Sequence, residues 1–108
     1  MASSGDILQL EVVFVPHAEG GRASTPSLKG GWYRPHLVVP PSDQMLGVEF
    51  VDGPDESVIP GRPLSAVAKL VYPAVSYASL LPGAKFEIRE GFRTVGQGRV
   101  IEVLPPAA

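Results

Sequence analysis

Twelve glycines and twelve prolines punctuate a chain of 108 residues. These breakers fill more than a fifth of all positions and exclude a helical bundle, because proline removes an N–H and glycine weakens a helix interior. The segments between them alternate apolar and polar residues, the two-residue period of a half-buried strand. Leu8, Leu10, Val12 and Phe14 alternate with Gln9, Glu11 and Val13 until Pro16 ends the run. Trp32 to Val39 reads as a second strand, stopped by Pro40-Pro41, and Met45 to Val51 as a third, ending at Asp52-Gly53. Leu64, Ala66, Ala68, Leu70 and Tyr72 mark one face of a fourth. Phe86 and Ile88 oppose Lys85, Glu87 and Arg89 in a fifth, and Arg93 to Leu104 returns as the sixth.

The connections carry matching turn chemistry. Pro60-Gly61 and Pro82-Gly83 suit type II turns, with proline setting the first central φ and glycine accepting a positive second one. Gly91-Phe92 has the glycine-first order of a two-residue type II′ hairpin. Gly96 and Gly98 inside the last strand predict a bulge or the close approach of another backbone. Ser76 to Leu81 has room for one helical turn at most. The expected fold class is therefore all-β, a six-stranded closed antiparallel-type barrel, formed as one domain over residues 1–108. Loose ends are expected at about residues 1–6 and 105–108, where small polar residues and paired prolines cannot sustain a ladder.

Apolar residues make up 44% of the chain, near the globular average, which argues against bulk disorder. There is no cysteine, hence no disulfide framework, thiolate metal site or cysteine nucleophile. No basic segment leads into an apolar run as in a secretory signal, and no apolar stretch nears the ~20 residues that cross a bilayer. A cytoplasmic location and no membrane partner are the expectation. The net charge of −2 argues against binding nucleic acid by bulk phosphate attraction, although a local basic face is compatible with it.

Catalytic constellations are missing from the sequence. His17 and His36 stand apart without metal-ligand spacing, and zinc needs three or four ligands. Asp52, Asp55 and Glu56 share a loop without the spacing of a calcium loop, so a solvated acidic turn is the expected reading. Neither a Gly-x-Ser-x-Gly elbow nor a Gly-x-x-x-x-Gly-Lys phosphate loop occurs. The expectation is a protein that is not an enzyme, with no cofactor, metal site or small-molecule substrate. One segment is denser in chemistry: residues 86–100 place Arg89 and Arg93 around the tight hairpin, with Lys85 and Arg99 on the flanking strands. Guanidinium groups so arranged can meet phosphates or carboxylates, or can pair across the strands with Glu87 and Glu90.

That segment resembles the C-terminal barrel of bacterial elongation factor Tu, whose pattern there is F-x-I-R-E-G-x-R-T-V-G-x-G-x-V. Phe86, Ile88, Arg89, Glu90, Gly91, Arg93, Thr94, Val95, Gly96, Gly98 and Val100 all match. Other pieces follow in family order. Glu19-Gly20-Gly21-Arg22 with Thr25-Pro26 is similar to the family's E-G-G-R-x-T-P loop with one extra residue; Tyr33-Arg34-Pro35 is similar to its Y-R-P, and Pro60-Gly61 to its P-G turn. Tyr72-Pro73 takes the place of H-P or K-P, so the resemblance runs from about residue 8 to 104.

The resemblance implies a barrel of that kind acting without the family's GTPase domain. In the family the barrel contacts the T-stem of aminoacyl-tRNA, packs on the GTPase domain and meets the nucleotide-exchange factor. It implies contact roles for Arg89, Glu90 and Gly91, and places Thr94 where the family carries a phosphorylatable threonine. Three contact positions differ: His36 stands for Gln, Leu46 for Thr, and Tyr72 for a basic residue or histidine. The implied function is a translation-linked binding module for tRNA, other RNA or a translation factor, through Arg89, Glu90, Gly91, Arg93 and Thr94 with Arg34 and His36. The alternative is a protein-interaction module, a homodimer or a mimic competing for the family's partners. Its apolar surface would draw on Val13, Val15, Val38, Leu46, Val67 and Val71, since unmatched apolar patches are rare on free domains.

Overall fold

A computed structural model describes residues 2–54 and 58–106, and in it the alternating segments become strands. They are β1 (Ile7–Phe14), β2 (His36–Val38), β3 (Leu46–Asp52), β4 (Leu64–Leu70), β5 (Lys85–Glu90) and β6 (Arg93–Leu104). Every pairing is antiparallel, in the order β1-β4-β3-β2-β5-β6, and β6 returns to β1 to close the barrel. Closure gives each of the six described strands a neighbour on both sides, so none of them is an open edge of the sheet. Among the described residues the sole helical element is a 3-10 turn at His17–Glu19, and no helix is long and apolar enough to cross a membrane.

The period-two reading translates directly into a core. Leu8, Leu10, Val12 and Phe14 of β1 are buried, as are Leu46, Val48 and Phe50 of β3, Ala66, Ala68 and Leu70 of β4, and Phe86 and Ile88 of β5. Burying each large aliphatic or aromatic side chain contributes roughly 1.5–3 kcal/mol, the term that holds a barrel of this size together. β6 is glycine-bearing because its neighbours are bulky. A Cβ on Gly98 would stand 2.3 Å from the Glu11 carbonyl oxygen and 2.9 Å from Cζ of Phe86. The close approach foreseen at this position is thus with β1. Bulges also form: β6 slips register against β5 between Ile88 and Arg89, and against β1 between Gln9 and Leu10. The extra residue in each case bends the long strand so that it can serve two neighbours.

The turns follow their residues. Arg62 N–H donates to the Ile59 carbonyl across Pro60-Gly61, and Ala84 N–H to the Leu81 carbonyl across Pro82-Gly83. Gly91 has φ 63° between the paired Glu90 and Arg93, as type II′ geometry requires, and among the described residues no residue other than glycine has a positive φ.

Four expectations are corrected. The second strand shrinks from Trp32–Val39 to His36–Val38. Pro35 has no N–H for a ladder, so residues 32–35 run beside β3 by accepting alone: Phe50 N–H donates to the Tyr33 carbonyl and Val48 N–H to that of Pro35. The fourth strand stops at Leu70 rather than Tyr72. The leader expected to be loose is docked, with Ala2 buried, Gly5 N–H donating to the Leu70 carbonyl and Leu70 N–H to that of Asp6. Val38 and Leu46, assigned to an interaction surface, are fully buried, whereas Val13, Val15, Val67 and Val71 keep partial exposure.

Candidate functional site

The hairpin between β5 and β6 stands at one end of the barrel, where the long segment from Val15 to Pro35 also crosses. Gly21 explains how that segment lies so close: a Cβ there would sit 1.8 Å from the Val15 carbonyl oxygen, so the double glycine presses directly on the backbone leaving β1. Arg93 reaches from the hairpin to this bend, donating Nε to the Gly20 carbonyl at 3.0 Å and Nη2 to that of Gly21.

Glu90 makes the second tie. Its Oε2 accepts from Arg22 Nη1 at 2.5 Å and from the Tyr33 hydroxyl at 2.6 Å. The Arg22 guanidinium also stands 5.2 Å from the centre of the Tyr33 ring, a cation–π distance. Tyr33 packs inward on Phe14 and Phe50, with ring centres 6.1 and 5.6 Å away. Burial holds the Tyr33 phenol well above its ordinary pKa, and the neighbouring Glu90 carboxylate pushes in the same direction. Burial, the largest single influence, tends to lower the Arg22 pKa, but the hydrogen bonds and charges of Glu90 and Tyr33 together outweigh it and raise the pKa.

A second group lies on the outer wall. His36 of β2 sits between Arg89 of β5 and Gly47 of β3, and Arg89 in turn opposes Thr94 of β6. Arg89 donates Nε and Nη2 to Glu87 Oε1 at 3.0 and 2.9 Å, and the Thr94 hydroxyl donates to the same oxygen at 3.1 Å. The hydrogen-bonded Arg89 guanidinium holds the Glu87 carboxyl below its usual range. Arg34 lies apart from both groups, 3.4 Å from Glu49 and donating to the Gly31 carbonyl.

The seven candidate residues therefore divide: Glu90, Gly91 and Arg93 form the rim, Arg89, Thr94 and His36 a strip on the wall, and Arg34 a separate corner. Leu46 is buried in the barrel and presents nothing to a partner, while the Tyr72 ring lies against Gly47 beside the wall strip. Pairing across the strands describes Arg89 with Glu87, but Glu90 pairs with Arg22, a partner 68 residues away in sequence. Asp52 faces Lys29 at 3.8 Å, and its proposed companions Asp55 and Glu56 lie outside the described residues. Among the described residues no three His, Asp or Glu side chains gather as a metal site would require.

Two features escaped the sequence reading. Phe92 at the hairpin tip is fully exposed and Trp32 is 86% exposed, so two large aromatic faces stand bare, one adjoining Tyr33 in the chain and the other two residues from Glu90. The cluster itself had one available signal: Arg22, Tyr33 and Glu90 each belong to a separate motif piece of the same resemblance. No family model matches the chain.

Proposed function

We propose that this chain is a translation-linked binding module, related to the C-terminal barrel of elongation factor Tu, that recognises a translation factor through the hairpin end. The observation that carries this reading is the combination of bare aromatics with guanidinium groups that are already neutralised. Arg22, Arg34, Arg89 and Arg99 each meet a carboxylate, on Glu90, Glu49, Glu87 and Glu11. A surface so balanced exerts little pull on a phosphate backbone. Exposed Trp and Phe beside ordered Arg side chains are instead the residue types that concentrate energy in protein interfaces. The motif match supplies the link to translation.

One observation favours an RNA reading in second place. Arg93 is met by backbone carbonyls rather than a carboxylate, and Phe92 beside it offers a stacking face.

Purified translation factors and tRNA, titrated separately against the parent protein and a Phe92→Ala/Trp32→Ser variant, test both. The expected result is a protein partner whose affinity for the variant falls by about 2 kcal/mol or more, as interface anchors do. Binding of tRNA that weakens steeply between about 50 and 200 mM salt selects the second reading. Equal binding of a partner by parent and variant removes the aromatics from the site.

A further inference from the structure

Along the barrel wall, away from the hairpin tip, an open groove of about 450 Å³ runs across β1, β6 and β5. Val13 and Pro40 line it beside Gly98 and Phe86, whose side chain is buried in the core, and its charges come from Glu11, Lys85, Glu87 and Arg99. Lys85 and Arg99 are direct cross-strand partners. Like charges directly opposite on neighbouring strands destabilise a sheet, so this pair counts against the free fold.

The four lining charges sum to zero, but they are unevenly paired. Arg99 turns to Glu11, its cross-strand partner on the other side, at 3.2 Å. Glu87 is engaged by Arg89 and Thr94 through one oxygen. Among the described residues Lys85 has no ion-pair partner, so one ammonium group is left over above an apolar floor. We propose that this groove docks an extended peptide segment of a protein partner, an acidic side chain seated on Lys85 and an adjacent apolar side chain on Val13 and Pro40. A single carboxylate matches the single uncompensated charge. A run of phosphates would also meet Glu11 and Glu87, which favours a peptide over a nucleic acid. A carboxylate between Lys85 and Arg99 relieves their repulsion, so binding stabilises what the free barrel tolerates.

The test follows backbone amide NMR shifts of the full chain during titration with the blocked peptide Ac-Leu-Glu-Leu-Glu-amide. Its amide counterpart Ac-Leu-Gln-Leu-Gln-amide and a short RNA oligonucleotide serve as the other arms. Expected shifts gather at Val13, Lys85, Gln97, Gly98 and Arg99, with the glutamine peptide and the RNA leaving them unmoved. Lys85→Glu faces Arg99 with an opposite charge, so it melts at a higher temperature than the parent while peptide affinity falls at least about tenfold. Lys85→Met separates the two effects: it also relieves the repulsion and loses the peptide, without adding a new ion pair. Equal response to the glutamine peptide, shifts centred on Trp32 and Phe92, or undiminished affinity in both Lys85 variants overturns the proposal. RNA moving the same amides replaces the peptide with a phosphate ligand and overturns it equally. The groove lies apart from the rim, so its failure leaves the hairpin reading intact.

Discussion

Each end of the barrel is closed by a buried tyrosine, and the two are anchored in different ways. At the hairpin end the Tyr33 hydroxyl donates to a carboxylate that is itself held by Arg22. At the opposite end, the segment joining β4 to β5 drops Tyr77 into the core, where it is 1% exposed. Its hydroxyl donates to the Gly47 carbonyl at 2.7 Å and accepts from the Tyr72 N–H at 3.2 Å. One closure depends on charged groups near solvent and the other on neutral backbone groups in the interior. The first can respond to pH, salt and a partner; the second serves the fold. That division supports the proposal of a binding surface at the hairpin end.

The comparison breaks most severely at Tyr77. Truncation to alanine in Tyr77→Ala removes a core aromatic and should cost on the order of 3–5 kcal/mol in urea unfolding. Tyr77→Phe keeps the ring but strands the Gly47 carbonyl, and should cost about 1–3 kcal/mol. A loss for Tyr77→Ala no greater than that for the hairpin-end variants would erase the distinction between the two closures.

Glu90→Ala leaves Arg22 and the Tyr33 hydroxyl without their shared acceptor. The expected loss is about 1–2 kcal/mol, the lower part of the range for an orphaned polar group, because Arg22 retains access to water. Salt should shrink the difference between Glu90→Ala and the parent, whereas the cost of Tyr77→Phe should stay constant as salt rises.

Alkali sharpens the contrast further. The folded pKa of Tyr33 lies above its ordinary value of 10.0, so its contribution is fully present below that pH and is lost as pH rises beyond it. Stability should fall in strong alkali, one phenol should ionise late in an absorbance titration, and Tyr33→Phe should abolish that late step. An unchanged titration in Tyr33→Phe would assign the step elsewhere.

The smallest effect lies on the wall strip. Glu87 has a folded pKa below its ordinary 4.5, so its stabilisation is present above that value and disappears as pH falls through the lower folded one. Thr94→Ala removes one donor and should move that acid midpoint slightly upward, with stability at neutral pH changed by less than about 0.5 kcal/mol.

Much of the barrel was legible before any coordinates. The alternation Leu8-Leu10-Val12-Phe14 names the inward face of β1 because side chains alternate strictly across a strand, and the Pro-Gly and Gly-Phe pairs name their turns through φ alone. The second strand was less legible, since Trp32 and Tyr33 have strand-like composition while Pro35 withholds the donor a ladder needs. Of the site, the hairpin and its arginines were visible, but their partners were not. Arg22 and Glu90 are separated by 68 residues, and Arg93 meets carbonyls of Gly20 and Gly21 more than 70 residues earlier.

From the order of its residues alone, this protein's strand faces, turn types and all-β class were already decided, because each depends on the conformational limits of neighbouring positions. Tertiary structure alone decided that Val38 and Leu46 are buried, that Trp32 is bare, and that Lys85 and Arg99 face each other across β5 and β6. Register and closure set those outcomes, and both depend on how distant segments pack, which no local pattern encodes.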